Sequence, residues 1–214
     1  MQTTEISCIK ELFPFVDNRQ LEQFAKLPAL YTDWNSKINV ISRKDIDNIF
    51  LHHILHSLSI AKIIRFRSQT QVLDVGTGGG FPGIPLAILM PEVKFYLIDR
   101  IAKKIKVVNA IKDALSLTNI FADQIPCEED TRKYDFIVSR AVTNLSDFLK
   151  MTKNKIHQNS NNSLTNGILC LKGANVIEEL TNFKGKYTIY NINDFFEDKF
   201  FTTKRIVYLP CYAK

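Results

Sequence analysis

Long hydrophobic runs are missing from this 214-residue sequence. Lys, Arg, Asp or Asn interrupts every apolar stretch before it reaches the roughly 18 residues that a membrane-spanning helix needs. The opening segment, MQTTEISCIKELFPF, lacks a basic stretch followed by an apolar one, so no secretion signal is read and a cytoplasmic location without membrane attachment is expected. Cysteine is scarce too: Cys8, Cys127, Cys170 and Cys211 stand far apart, without the Cys-x-x-Cys pairs of zinc or redox sites, and are read as free thiols. No internal repeat is present. The one polar low-complexity stretch, HQNSNNSLTNG at 157–167, is expected to be a mobile loop.

What is present is a hydrophobic content of 45%, enough for one sizeable core with a small appendage. A monomer is expected. The net charge of +6 and pI near 9.1 favour an anionic partner such as nucleic acid, because clustered Lys and Arg neutralise phosphates. From residue 1 to about 65 the apolar spacing is helical, as in LEQFAKLPALYTDW and DIDNIFLHHILHSLSIAKII. After the polar RSQTQ the texture changes to short β-branched and aromatic runs, VLDVG, KFYLID, YDFIVS and GILCLK, alternating with the helix-period segments FPGIPLAILM, AKKIKVVNAIKDALSL and LSDFLKMTKNKI. This alternation predicts an α/β fold with a doubly wound, mostly parallel sheet. KYTIYNI and TKRIVYLP are separated too briefly for a crossover helix and are expected to pair antiparallel. That element order is the plan of the class I S-adenosylmethionine-dependent methyltransferases. The expected division is a helical region at 1–65 and a methyltransferase domain at 66–214.

The chemistry is concentrated at Asp74-Val75-Gly76-Thr77-Gly78-Gly79-Gly80, an Asp-x-Gly-x-Gly-x-Gly turn after the first strand. Glycines there allow a sharp turn and let bare backbone approach a ligand, at the carboxyl end of a strand, where open α/β sheets bind. Gly78, Gly80 and Gly83 also spell the dinucleotide fingerprint Gly-x-Gly-x-x-Gly. Asp74 favours a ligand with an ammonium group over a pyrophosphate, and hence S-adenosylmethionine over NAD; Pro82 is read as a first-turn helix residue. Asp99, ending the second strand, can accept the ribose hydroxyls of an adenosine, or simply cap the next helix. Asp123, placed just past the third strand, is a candidate for the adenine amine, with Ala122 offering backbone contacts.

Arg140 follows the fourth strand at the face where a methyl group would be delivered, and can order the cofactor or hold RNA. Enzymes that methylate exocyclic base amines carry Asn-Pro-Pro-Tyr or a relative at this point; here Ser139-Arg140-Ala141 stands instead. Pyrimidine-carbon methylation needs a cysteine nucleophile, but Cys127 follows the wrong strand and is read as structural. A lone-pair acceptor such as guanine N7 needs neither device. Lys172, at the end of GILCLKG, is a candidate for phosphate or substrate, or a solvated lysine. His52 and His56 share a helix face as a metal pair would, but with no third ligand evident a helix surface or domain contact is expected, and no metal. Phe195, Phe196, Phe200 and Phe201 are read as core residues.

Four segments resemble one family: WNSKINVISRKD at 34–45, HHILHSL at 52–58, VLDVGTGGGFPGIPLAI at 72–88 and YDFIVSRAVTNL at 134–145, together with the Lys-Gly at 172–173. They are similar to the bacterial small-subunit ribosomal RNA guanine-N7 methyltransferases, the RsmG or glucose-inhibited division protein B family. The resemblance implies a helical N-terminal region packed on a class I fold, with S-adenosylmethionine touching Gly76, Phe81, Ala122, Asp123 and Arg140. It also implies the substrate, guanine 527 in the decoding-region loop of 16S ribosomal RNA, free or within the small subunit. Where many members have Arg and Asp in the motif Arg-His-x-x-Asp-Ser-Leu, this chain has His52 and His56. A small-molecule methyltransferase, an NAD-dependent oxidoreductase and a non-catalytic RNA-binding protein are the alternatives.

Overall fold

A computed structural model describes residues 3–140, 142–181 and 183–211; Ala141 of the Ser-Arg-Ala motif lies outside the described residues. Among the described residues seven strands form one sheet: β1 (Gln71–Val75), β2 (Lys94–Asp99), β3 (Ile120–Gln124), β4 (Phe136–Arg140), β5 (Gly167–Lys172), β6 (Thr188–Asn191) and β7 (Arg205–Pro210). Their order is β3-β2-β1-β4-β5-β7-β6. β1 to β5 are mutually parallel, and β7 runs antiparallel between β5 and β6. The central strands are buried on both faces, as Val72, Leu73, Phe136, Ile137, Val138 and Leu169 all show no exposure. That explains why they read as continuous apolar runs without alternation.

The helices are α1 (Thr3–Leu12), α2 (Asn18–Lys37), α3 (His56–Leu58), α4 (Gly83–Leu89), α5 (Ala102–Ala114), α6 (Leu145–Met151) and α7 (Val176–Thr181). α2 begins with a reciprocal cap, in which Asp17 Oδ1 accepts from the Gln20 amide and Gln20 Oε1 accepts from the Asp17 amide. Its polar side chains then reach the sheet domain. Gln20 Nε2 donates to the carbonyls of Ile88 and Leu89 at 2.7 and 3.1 Å, Gln23 Nε2 to that of Leu115 at 2.8 Å, and Tyr31 Oη to that of Gly79 at 2.6 Å. The first three are unsatisfied carbonyls at the ends of α4 and α5, which must find partners when buried. One apolar core runs from Ile9, Phe24 and Leu27 through Ile54 and Leu58 to Val72, Leu97 and Tyr208. The N-terminal helices and the sheet therefore bury their apolar surface together.

Between α2 and β1 the helical expectation is met irregularly: Ile49–Leu55 is a wide i→i+5 turn, followed by α3 and a 3₁₀ turn at Ser59–Lys62. The stretch 157–167, expected as a loop, is tied down by specific hydrogen bonds. Asn162 Oδ1 accepts from the Arg67 amide at 2.8 Å, and fully buried Asn166 donates through Nδ2 to the carbonyls of His157 and Asn159 at 3.0 and 2.8 Å. The polar residues that suggested looseness bond the loop to its own backbone and to the entry of β1. Among the described residues no helix is long and apolar enough to cross a membrane.

Candidate active site

The chain leaves β1 toward β2 on one side and later enters β4 on the other, so a crevice opens at the carboxyl ends of these strands, where open α/β sheets bind ligands. A cleft of about 440 Å³ occupies it. Its lining includes Gly76, Asp99, Ile101, Lys104, Ile125, Pro126, Cys127, Arg140, Val142 and Thr143.

The glycine turn forms one wall. Gly76 has a φ of +65°, and a Cβ there would lie 2.7 Å from Val142 Cγ2. Asp99 is nearly buried at the floor; its Oδ2 accepts from the Gly78 amide at 3.0 Å and its Oδ1 from the Ile101 amide at 3.0 Å. It thereby caps the start of the α5 segment and braces the glycine turn while still lining the cleft. Lys104 Nζ stands 3.6 Å from the same carboxylate.

Asp74 sits below the turn and not in the cleft. It has no exposed surface, and its Oδ2 accepts from Thr77 Oγ1 at 2.7 Å and the Gly83 amide at 2.8 Å. Oδ1 is buried and makes no hydrogen bond, and burial raises the carboxyl to about 7. Phe81 is likewise interior, stacked on Tyr31 with ring centres 4.7 Å apart. Asp123 lies inside β3, not past it, beside Ile98 of β2, and its Oδ2 accepts from Arg132 Nη1 at 2.7 Å. Ala122 packs against the main core.

Arg140, the last residue of β4, is at the cleft and enclosed from the other side. Its Nη2 donates to His53 Nδ1 at 2.9 Å, its Nη1 to the His52 carbonyl at 3.3 Å, and its guanidinium lies 5.0 Å from the Phe81 ring centre. Burial lowers its pKa to about 10, so it stays charged at neutral pH. Lys172, by contrast, turns to its own neighbourhood: Nζ donates to the Thr143 carbonyl at 2.6 Å and to Glu179 Oε2 at 3.1 Å. Glu179 Oε2 also accepts from the Leu145 amide at 2.6 Å, so the pair fastens the loop that carries Val142 and Thr143 into the cleft.

His52 and His56 meet aromatic side chains. The His52 ring stacks on Phe200 at 3.9 Å, and His56 meets Phe200 edge-on at 5.6 Å. Phe196 and Phe201 are buried, and Phe195 and Phe200 pack partly buried against the core. Cys127 lines the cleft, yet burial pushes its thiol up to about 11, which leaves it a poor nucleophile.

Sequence reasoning overlooked several cleft residues. Ile101 and Lys104 follow Asp99 by two and five positions and could have been found from its placement. Met151, at the end of α6, carries no local signal, because only the crossover geometry brings it there.

Residues 18–207 match the family model GidB, rRNA small subunit methyltransferase G. The chain is 59% identical over 198 residues to the ribosomal RNA small subunit methyltransferase G of Flavobacterium psychrophilum, covering 92% of this chain and 94% of that protein. It is 57% identical to the protein of the same name from Flavobacterium johnsoniae, covering 94% and 96%. In fold it is similar to a crystal structure of a SAM-dependent methyltransferase from Aquifex aeolicus, with a TM-score of 0.55 at 16% identity, covering 72% of this chain and 88% of that one.

Proposed function

Since the chain belongs to the GidB family, rRNA small subunit methyltransferase G, we propose that it transfers a methyl group from S-adenosylmethionine to N7 of guanine 527 in 16S ribosomal RNA. The observation that carries this reading is the make-up of the cleft. Asp99 is its only acidic residue among the described ones, and that carboxylate is occupied with the glycine turn and the start of the α5 segment. Beyond Asp99, whose free acceptor positions suit the ribose of the cofactor, the described lining holds no carboxylate or histidine to take a proton, and attack by N7 needs none, because its lone pair takes up the methyl and no proton leaves.

The residues present fit the cofactor. An ionised carboxylate has about four acceptor positions, so Asp99, with two in use, retains two for a pair of ribose hydroxyls. Ile101, Ile125 and Pro126 give the flat apolar walls an adenine ring needs, and bare Gly76 admits the amino-acid portion. When bound, the cofactor supplies an electrophilic methyl carried on sulfur. Arg140 would orient the guanine nucleotide at the cleft, and Lys172 holds the wall containing Thr143. Rate enhancement then comes from alignment and exclusion of water.

The test is nucleoside mass spectrometry of 16S ribosomal RNA from cells with and without the protein, with the modified base mapped by chemical cleavage at 7-methylguanosine. Loss of one 7-methylguanosine at position 527, restored by the purified protein with S-adenosylmethionine, is expected. An unchanged nucleoside profile, or loss of a methyl on an exocyclic nitrogen, would contradict the reading.

A further inference from the structure

Behind Arg140, on the side away from the cleft, lies a chain of three side chains that the methyl transfer as described does not use. Arg140 Nη2 donates to His53 Nδ1 at 2.9 Å, and His53 Nε2 meets Asp45 Oδ2 at 2.6 Å. The other Asp45 oxygen is bonded to His52 Nδ1. The protonation pattern follows from the donor and acceptor inventory. A guanidinium can only donate, so His53 Nδ1 must carry a lone pair. An ionised carboxylate can only accept, so His53 Nε2 must carry the hydrogen. The two neighbours thus fix one tautomer of a buried neutral ring, and the ring fixes where the guanidinium points.

We propose that His53 is a positioning residue for Arg140, its tautomer set by Asp45, and that this relay holds the guanidinium at the edge of the methyl-transfer cleft. The inference rests on the assignment of Arg140 to that cleft. The surroundings agree with it. His53 is nearly buried, and the charged or titratable groups around it are Arg140, Asp45, His52 and His56; burial, aided by the Arg140 charge, pushes it down to about 4. It is therefore uncharged at neutral pH, and a second positive charge does not oppose Arg140. The Phe81 ring, with its centre 5.1 Å from that of His53 and 5.0 Å from the guanidinium, closes the remaining side. The two histidines share one carboxylate, so an amide in place of Asp45 could accept from only one of them.

The test combines a direct observation with a double-mutant cycle. Nitrogen-detected NMR of the ring in the wild-type protein without cofactor should show His53 protonated at Nε2 and bare at Nδ1 at neutral pH. The opposite tautomer, or a doubly protonated ring, would overturn the proposal without any variant having to fold. His53→Ala should raise the dissociation constant for S-adenosylhomocysteine or lower kcat/KM by about tenfold, the usual worth of a hydrogen bond to a charged group. In an Arg140→Ala background the same change should cost nothing further. Additive losses would mean that His53 acts on the fold alone. An Arg140→Ala protein indistinguishable from wild type would instead remove the assignment of Arg140 itself, so the two failures are told apart. Conservative variants supply the last arm: Asn places an oxygen where Nδ1 was, whereas Gln reaches only the Nε2 position. His53→Asn should lie nearer wild type than His53→Gln, and the reverse order would overturn the relay.

Discussion

Asp74 and Gly83 are joined beneath the glycine turn: the Gly83 amide donates to Asp74 Oδ2 at 2.8 Å, and a Cβ added to Gly83 would meet that same oxygen at 2.8 Å. The acid thus ties the first strand to the first helix after it. Burial raises its carboxyl from an ordinary 3.8 to about 7. Between those values the folded chain binds more protons than the unfolded one, so the stability contribution is full below the lower value and is lost as pH climbs through the upper one. Asp74→Asn cannot ionise and should escape this loss. The melting temperature of the variant minus that of wild type, measured without cofactor, should become more positive between about pH 4 and pH 7. A difference that does not change with pH would refute the raised carboxyl.

Gly76 gives a second prediction, aimed at the cofactor. Its left-handed backbone costs a non-glycine residue about 1 kcal/mol, and the new methyl would press on Val142 at 2.7 Å. Gly76→Ala should weaken S-adenosylmethionine binding at least about tenfold in calorimetry while the circular dichroism spectrum stays native. Gly78 separates the two causes, because nothing lies within 4 Å of a Cβ there although φ is +60°. Gly78→Ala should therefore cost less than Gly76→Ala, and Gly78→Val, which adds branching at the same backbone, more than Gly78→Ala.

The sheet was legible in the sequence because buried parallel strands are short apolar runs: β1, β2 and β5 fall within VLDVG, KFYLID and GILCLK to within a residue at each end. The antiparallel pairing of β6 with β7 followed from the short connection between them. The fastening of α2 was invisible, since Gln20, Gln23 and Tyr31 look like ordinary helix residues until the distant carbonyls of Ile88, Leu89, Leu115 and Gly79 are brought to them. Within the candidate site, Gly76, Asp99 and Arg140 line the cleft, whereas Asp74, Phe81, Ala122, Asp123 and Lys172 are not part of its lining. A sequence motif groups residues along the chain; it does not distinguish those that line a cleft from those, such as Asp74, that brace the turn beneath it.

Lys172 allows that distinction to be measured. A lysine bound to an RNA phosphate contributes about one unit to the slope of log affinity against log salt. Because its amine is engaged by Thr143 and Glu179, Lys172→Met should leave that slope unchanged while lowering turnover through the loop wall. Glu179→Gln should reproduce part of the turnover loss, since it weakens the same clamp at Lys172 and at the Leu145 amide. A slope reduced by a full unit in Lys172→Met alone would assign the lysine to RNA.

The last prediction concerns the pH dependence of the chemical step. If the acceptor is guanine N7, no side chain has to take a proton, and the rate should not follow the ionisation of a base. Buried His53 and His56 will not disturb this. His53 and His56 are pushed by burial to about 4 and about 3, so both are neutral on either side of neutrality, and the Cys127 thiol, pushed up to about 11, also keeps one state. Asp74 is different: at about 7 it titrates in the working range, next to the turn that forms the cleft wall. The measurement is therefore made in pairs. Single-turnover methylation of ribosomal RNA at saturating cofactor should vary weakly between about pH 6 and pH 8.5 in the wild type, and any residual slope should vanish in Asp74→Asn. A rate that rises tenfold per pH unit in both proteins would require a side-chain base that this cleft does not display, and the methyl acceptor would then have to be an atom that loses a proton.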